Sequence, residues 1–306
     1  VALAVGLAGC TAEPAATTVD LQDRATEEEL QPPPRRADAT VFRFGFDHRA
    51  SPEEDVRQYL PFLGYLSRAT GYRFEIHFTP AGANLVDELG TGKVHFAAIG
   101  AGSYVRARER YGAVPLARGL NSRGLAEYRS VLVVRPDSPI RRVADLRGRS
   151  FAFGDFNSTQ GHLIPRIVLL EHGVDVNDLA RHEYTGSHRN CAEAVIAGRF
   201  DAGGMQDTLG EELVGQGLLR ILYTSRPYPS SAIAASTAVP ALALARVKAA
   251  LLAFAPKGRD AAGLYHWDKT EMPNGFGDAR DEDYAQLRQS ARTFGLLGSP
   301  APERAP

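Results

Sequence analysis

The sequence predicts an α/β fold of two lobes, each a mostly parallel sheet flanked by helices, joined by a hinge. Three observations carry that expectation. Strand-like and helix-like segments alternate in two separate blocks, the pattern of parallel sheets covered by crossover helices. The 306 residues suffice for two lobes of about 100–150 residues each. The last two helical segments have no strands of their own to complete a third sheet, so the chain must return to the first lobe and cross between lobes twice.

The first block opens with the strand "VFRFGF" from Val41, followed by "SPEE", a helix start with Ser51 as N-cap, Pro52 in the first turn and Glu54 closing a capping box. Val56, Tyr59, Leu60, Leu63 and Leu66 make an apolar stripe at helical spacing, ended by Gly71. "YRFEIHF" and "VHFAAIG" read as strands with the helix "NLVDELGTG" between them, and "SYVRARERYG" is a helix stopped by Gly112. The second block starts at the strand "SVLVVRP". It runs through strand "RSFAFG", helix "GHLIPRIVLLEHG", strand "RHEYTG", helix "RNCAEAVIAGR", strand "FDAGGM", helix "DTLGEELVGQG" and strand "LLRILYT". The closing helices are "PALALARVKAALLAFA" and "DEDYAQLRQSARTF". Lobe 1 is thus expected over 41–130 and 226–306, and lobe 2 over 131–225.

Lys+Arg 35 against Asp+Glu 36 leaves a net charge of -1, so no global field draws the chain to nucleic acid or anionic lipid. Any anion must be met by local geometry. The first ten residues, "VALAVGLAGC", are small and apolar and end in a lipobox-like Leu7-Ala8-Gly9-Cys10, read as part of a secretory signal whose cleavage leaves Cys10 lipidated. Residues 11–40 lack apolar periodicity and contain a Pro triplet, the composition of a disordered tether. The chain is therefore expected to be exported and held by its lipid at the outer face of a bacterial membrane or in the periplasm. Cys191 is left without a partner thiol, and with Ala194, Val195 and Ala197 at helical spacing it reads as a core residue.

Four junctions between strands and helices are unusually polar or Gly-rich: "DHRASP" (47–52), "GAGSY" (100–104), "NSTQGH" (157–162) and "GSHRN" (186–190). Ligands of parallel α/β sheets sit at such strand ends. Pro165 sharpens the third. It has no N–H, so the regular helical bond to residue 161 is forbidden and the helix start from Ser158 to Gly161 is irregular, with amides open to an anion. The simpler alternative is N-capping by Ser158 or Thr159. His188 and Asp207 can equally cap the helices that follow them, and Tyr104 can pack on its sheet.

"GDFNSTQGHLIP", "GSHRNCAEAVIAGRFDAGGM" and "SRPYPSSAIA" in this order resemble the periplasmic substrate-binding proteins of phosphonate, phosphite and phosphate ABC transporters, from about Val41 to Leu297. The resemblance implies the type II periplasmic-binding fold with its two-strand hinge, a monomer whose lobes close on a phosphorus oxyanion, and a permease partner. It also implies that Ser158, Thr159 and Gly161 hold the oxyanion, that His188 donates from the same lobe, that Tyr104 closes from the other, and that Asp207 accepts a ligand proton. Gln160 stands where the family has a third small hydroxyl residue, and Ser230 and Ser231 stand where amine-binding members place an acid. Phosphite, phosphate or methylphosphonate should bind, 2-aminoethylphosphonate poorly and sulfate not at all. Two other readings compete. An enzyme lacks support, since G-x-S-x-G and H-E-x-x-H are absent, and neither a cofactor nor a metal ion is called for. A sensor of the same fold would present its closed form to a receptor kinase.

Overall fold

The computed structural model describes residues 40–47, 52–80 and 83–298. The expectations for Cys10, nearly all of the tether and the Ser51 cap fall outside these residues, as do His48 and Arg49 of the first polar junction. In chain order the elements are β1 (Val41–Phe46), α1 (Pro52–Thr70), β2 (Arg73–His77), α2 (Leu85–Gly90), β3 (Phe96–Ile99), α3 (Ala101–Tyr111), β4 (Val114–Gly119) and β5 (Glu127–Tyr128). Next come β6 (Ser130–Val134), β7 (Ser150–Phe153), α4 (Ile164–Glu171), β8 (Arg181–Tyr184), α5 (His188–Ile196), β9 (Ala202–Gln206), α6 (Asp207–Gly215) and β10 (Arg220–Thr224). The chain closes with β11 (Tyr228–Pro229), β12 (Ala232–Ala235), α7 (Ala241–Ala253), β13 (Phe276–Asp278) and α8 (Ala285–Thr293).

A six-stranded sheet, ordered β13-β4-β12-β3-β1-β2, forms lobe 1, and a five-stranded sheet, ordered β10-β6-β9-β7-β8, forms lobe 2. Between them β5 and β11 pair as a two-stranded antiparallel ribbon at the two places where the chain passes from one sheet to the other. Two helices follow β12. Helix α7 packs on α1 and β4, with the Tyr65 hydroxyl donating to the Ala250 carbonyl at 2.8 Å, and α8 packs on α3.

The sheets are mixed, each with most of its strands running one way, as expected, and a minority running against them. β1 pairs in parallel with β2 and β3, and β7 with β8 and β9. β12 runs antiparallel to both β3 and β4, β13 antiparallel to β4, and β6 antiparallel to β9 and β10. The reason is connectivity: only strands joined by a crossover helix must be parallel, and β6 and β12 enter their sheets from the ribbon instead. Both are buried along their whole length, so neither shows the alternation that marks a half-exposed strand.

Lobe 1 fills its core with rings. Phe44, Phe62, Phe96, Phe254, Trp267 and Phe276 lie between α1, α7 and one sheet face. Lobe 2 uses mostly aliphatic side chains there. Cys191 is fully buried among Val133, Val195 and Met205, its thiol donating to the carbonyls of Ala152 and Gly204 at 3.2 and 3.4 Å. Burial pushes that thiol up to about 12, so it is an inert core group. Ala197, expected on the same buried face, lies just past the helix end and is exposed.

Candidate functional site

Two helix starts meet where the lobes touch. The one in lobe 2 explains the polar run after β7. Asp155 closes a turn by accepting from Asn157 through its carboxylate at 2.7 Å and from Ser158 through its carbonyl at 3.0 Å. The chain then makes one π-type turn over Thr159–Leu163, with the amides of His162 and Leu163 both on the Ser158 carbonyl and that of Ile164 on the Thr159 carbonyl. Pro165 dictates this widening. Its missing N–H frees the Gly161 carbonyl, which accepts instead from the Gly154 amide at 2.8 Å and ties the turn to the end of β7.

The capping alternative is partly correct: the Ser158 hydroxyl accepts from the Gly161 amide at 2.9 Å. The amides of Thr159 and Gln160 have no hydrogen-bond partner among the described residues, although both residues are buried. These are two orphan donors at the positive end of a helix. Gly161 allows the packing. A Cβ there would lie 2.9 Å from His188 Cε1, 3.0 Å from Ser158 Oγ and 3.1 Å from the Gly154 Cα. His188 itself opens α5, which Ser187 caps by accepting from Asn190, and its Nε2 stands 3.5 Å from the Ser158 hydroxyl.

Asp207 approaches from the end of β9. Its carboxylate accepts from the Arg129 and Thr208 amides at 3.2 and 3.0 Å and lies 3.5 Å from the Gln160 side-chain nitrogen. Burial raises its carboxyl above the usual range, although those amides pull the other way. Gln160 is a strut between these parts: its side chain donates to the Arg129 carbonyl at 2.8 Å, and its own carbonyl accepts from the Ser130 hydroxyl at 2.7 Å.

The facing start in lobe 1 is that of α3. Its amides in order meet three oxygens: Gly100 donates to the Asp47 carboxylate at 2.9 Å, Ala101 to the Tyr128 hydroxyl at 3.1 Å, and Gly102 to the Thr159 hydroxyl at 2.9 Å. The last of these crosses between lobes. Glycine is needed for it, because a Cβ on Gly100 would sit 2.7 Å from Thr159 Oγ1 and one on Gly102 2.7 Å from Leu163 Cδ2.

Ser158, Thr159, Gly161, His188 and Asp207 are therefore brought together. Tyr104 is a correction. Its side chain is fully buried, with the ring 4.3 Å from that of Tyr284 and the hydroxyl donating to Asp281 at 2.7 Å. Positions 102 and 104 leave a helix about 200° apart, so a helix that turns Gly102 toward Thr159 turns Tyr104 away. Asp47, Tyr128 and Ser130 were missed, although polar residues beside a lobe crossing, as in "EYRS", were the available signal. A second expectation also changes: Ser231 donates to the carboxylate of Glu271, so an acid from elsewhere in the chain stands at that position.

The model of the family described as ABC transporter, phosphonate, periplasmic substrate-binding protein matches residues 44–284. A phosphonates-binding periplasmic protein of Escherichia coli is 29% identical over 177 residues, 56% of this chain and 52% of its own length. A probable ABC transporter phosphite-binding protein of Prochlorococcus marinus is 26% identical over 190 residues, 58% of this chain and 57% of its own. The match thus spans little more than half the length of these relatives. The solved structure of PhnD1 from Prochlorococcus marinus in complex with methylphosphonate superposes with a TM-score of 0.70 at 20% identity, covering 84% of this chain and 99% of that one, which shows the shared two-lobed fold.

Proposed function

The chain belongs to the periplasmic phosphonate substrate-binding proteins of ABC transporters, and on that footing we propose that it captures phosphite, phosphate or a simple phosphonate between its lobes and delivers it to a permease. The observation that carries this reading is the pair of orphan amides at Thr159 and Gln160, set opposite the α3 start. A tetrahedral oxyanion satisfies those amides. The Ser158 and Thr159 hydroxyls and His188 stand close enough to add donors, with the Gly161 amide holding the Ser158 hydroxyl in place, and the lobes turn about the β5–β11 ribbon to close over the anion. Binding without turnover is part of the same proposal.

Asp207 supplies the selectivity. Held above the usual carboxylate range, it can share a proton with a ligand oxygen, whereas fully ionised sulfate sets acceptor against acceptor. The carboxylate of Glu271 at Ser231 removes the argument against ammonium-bearing phosphonates, so 2-aminoethylphosphonate belongs among the candidate ligands. Calorimetry of the purified chain against phosphite, phosphate, methylphosphonate, 2-aminoethylphosphonate and sulfate tests the reading. Thr159→Ala should weaken the best ligand by roughly ten- to a hundredfold, the worth of one or two charge-assisted bonds, with the fold intact. Equal affinity in the variant removes the site.

Lipidation at Cys10 completes the proposal by keeping the protein near its permease, since two acyl chains anchor stably where one is marginal. Cys10→Ser should move the protein from the membrane to the soluble fraction; unchanged partition sinks this part alone.

A further inference from the structure

A groove of about 410 Å³ opens beside the Ser158 turn, and none of Ser158, Thr159, Gly161, His188 or Asp207 lines it. Its volume lies within the roughly 300–1,000 Å³ of small-molecule sites. Both lobes build it: Arg106 and Arg110 come from α3, and Phe156, Asn157 and Arg166 from lobe 2. Arg110 is paired with Asp87 at 2.9 Å, the one carboxylate in the lining. Arg106 and Arg166 make no ion pair among the described residues. Arg106 donates only to the Ser103 hydroxyl at 3.2 Å and the Asn157 carbonyl at 3.5 Å, and the Nε of Arg166 is buried without a hydrogen-bond partner.

Two guanidiniums from opposite lobes thus line one groove without a carboxylate in ion-pair contact among the described residues, although Asp47 and Asp155 act on Arg106 from farther away and Arg166 lies against the Tyr184 hydroxyl. His162 between them cannot supply it and adds no charge. Its Nδ1 donates to the Phe156 carbonyl at 2.6 Å and its Nε2 accepts from the Tyr184 hydroxyl at 3.1 Å, which fixes a neutral ring. Burying a guanidinium nitrogen without a partner is costly, and like charges lining one groove repel; an anion in that groove offsets both. Planar forks bind phosphoryl oxygens two at a time, so guanidiniums on two lobes suit several phosphoryl groups in a row better than one.

We propose that this groove is a second anion site, in which Arg106 and Arg110 of lobe 1 and Arg166 of lobe 2 bind a ligand carrying a chain of two or more phosphoryl groups. Calorimetry with sodium tripolyphosphate tests it on three forms of the full chain: wild type, Arg106→Gln with Arg166→Gln, and Ser158→Ala with Thr159→Ala. Tripolyphosphate should bind wild type and the serine–threonine variant alike and bind the arginine variant at least roughly tenfold more weakly. Absence of binding to wild type, equal binding to the arginine variant, or loss confined to the serine–threonine variant overturns the proposal. Should the double arginine variant not fold, Arg166→Lys keeps the charge but loses the fork, and it should still weaken binding. A nucleoside triphosphate as a further arm separates sources of the same chemistry: equal affinity means that the phosphate chain alone is read, and tighter binding means that a nucleoside is read with it.

Discussion

The two helix starts at the lobe boundary are built from similar parts and differ in what their amides meet. In α3 each of the three amides from Gly100 to Gly102 already faces an oxygen of the protein, one of them from the opposite lobe. In the Ser158 turn two amides, those of Thr159 and Gln160, meet none among the described residues. The difference teaches that a helix N-terminus is only a positive potential, and neighbouring side chains decide what fills it. Asp47 and Tyr128 make the α3 start a docking point for the protein's own hydroxyl, whereas Pro165 and Gly161 keep the facing start open. On the proposed reading, closure and capture are separate tasks, one for each end.

The largest effect expected from this contrast is a pH dependence on the lobe 2 side. Burial, reinforced by Arg166 and Arg106, holds His162 down to about 4 despite the Phe156 carbonyl, while the unfolded chain restores an ordinary value near 6.5. A depressed folded pKa means that the unfolded state takes up the proton first. The stability is therefore complete above about pH 6.5 and falls as the pH drops toward 4, by about 3 kcal/mol in all. Denaturant melts between pH 7 and 4 measure it, with His162→Gln as the control that should flatten the curve. A His162→Gln curve as steep as that of wild type assigns the acid sensitivity to other groups.

Gly102→Ala sharpens the other side. Alanine favours a helix over glycine by up to about 1 kcal/mol, so lobe 1 should not be weakened. In the structure, however, the new Cβ meets Leu163 at 2.7 Å and Thr159 Oγ1 at 3.2 Å, and the bond between lobes must lengthen. Losing one neutral hydrogen bond costs about 1 kcal/mol, a roughly fivefold weaker ligand affinity. The melting temperature without ligand should hold or rise while the affinity falls; unchanged affinity would falsify the role given to the α3 start in closure.

Much of this was legible in the sequence, and the exceptions have physical causes. Pro165 announced an irregular helix start because a missing N–H is a local fact; that the freed Gly161 carbonyl would be taken by Gly154 is a fact of packing, which no motif states. Strand β12 hid in "SSAIAAS" because a strand buried on both faces has no period. The helices after it were read by a global argument, the want of strands for a third sheet. Ser158, Thr159, Gly161 and His188 were visible as polar residues at strand ends. Asp47, Tyr128 and Ser130 act through backbone groups of distant segments, and such partners are set by tertiary structure alone.

Tyr104 carries the smallest prediction and separates a ligand contact from a structural one. Its hydroxyl donates to Asp281, which also pairs with Arg288, and its ring packs on Tyr284, so it fastens α3 to the turn before α8. Burial by itself would raise the Asp281 carboxyl, yet the Tyr104 hydroxyl and Arg288 outweigh it and hold it below the usual range. Tyr104→Phe keeps the ring and deletes one hydrogen bond to a charged group, so stability near neutral pH should drop by about 1–2 kcal/mol. The ligand affinity should stay within about twofold, because nothing at the Ser158 turn changes. Had the hydroxyl closed on the anion, the same variant would lose ten- to a hundredfold in affinity. Paired denaturant melts and calorimetry on this one variant therefore show whether the α3 start serves closure through its amides or through a side chain.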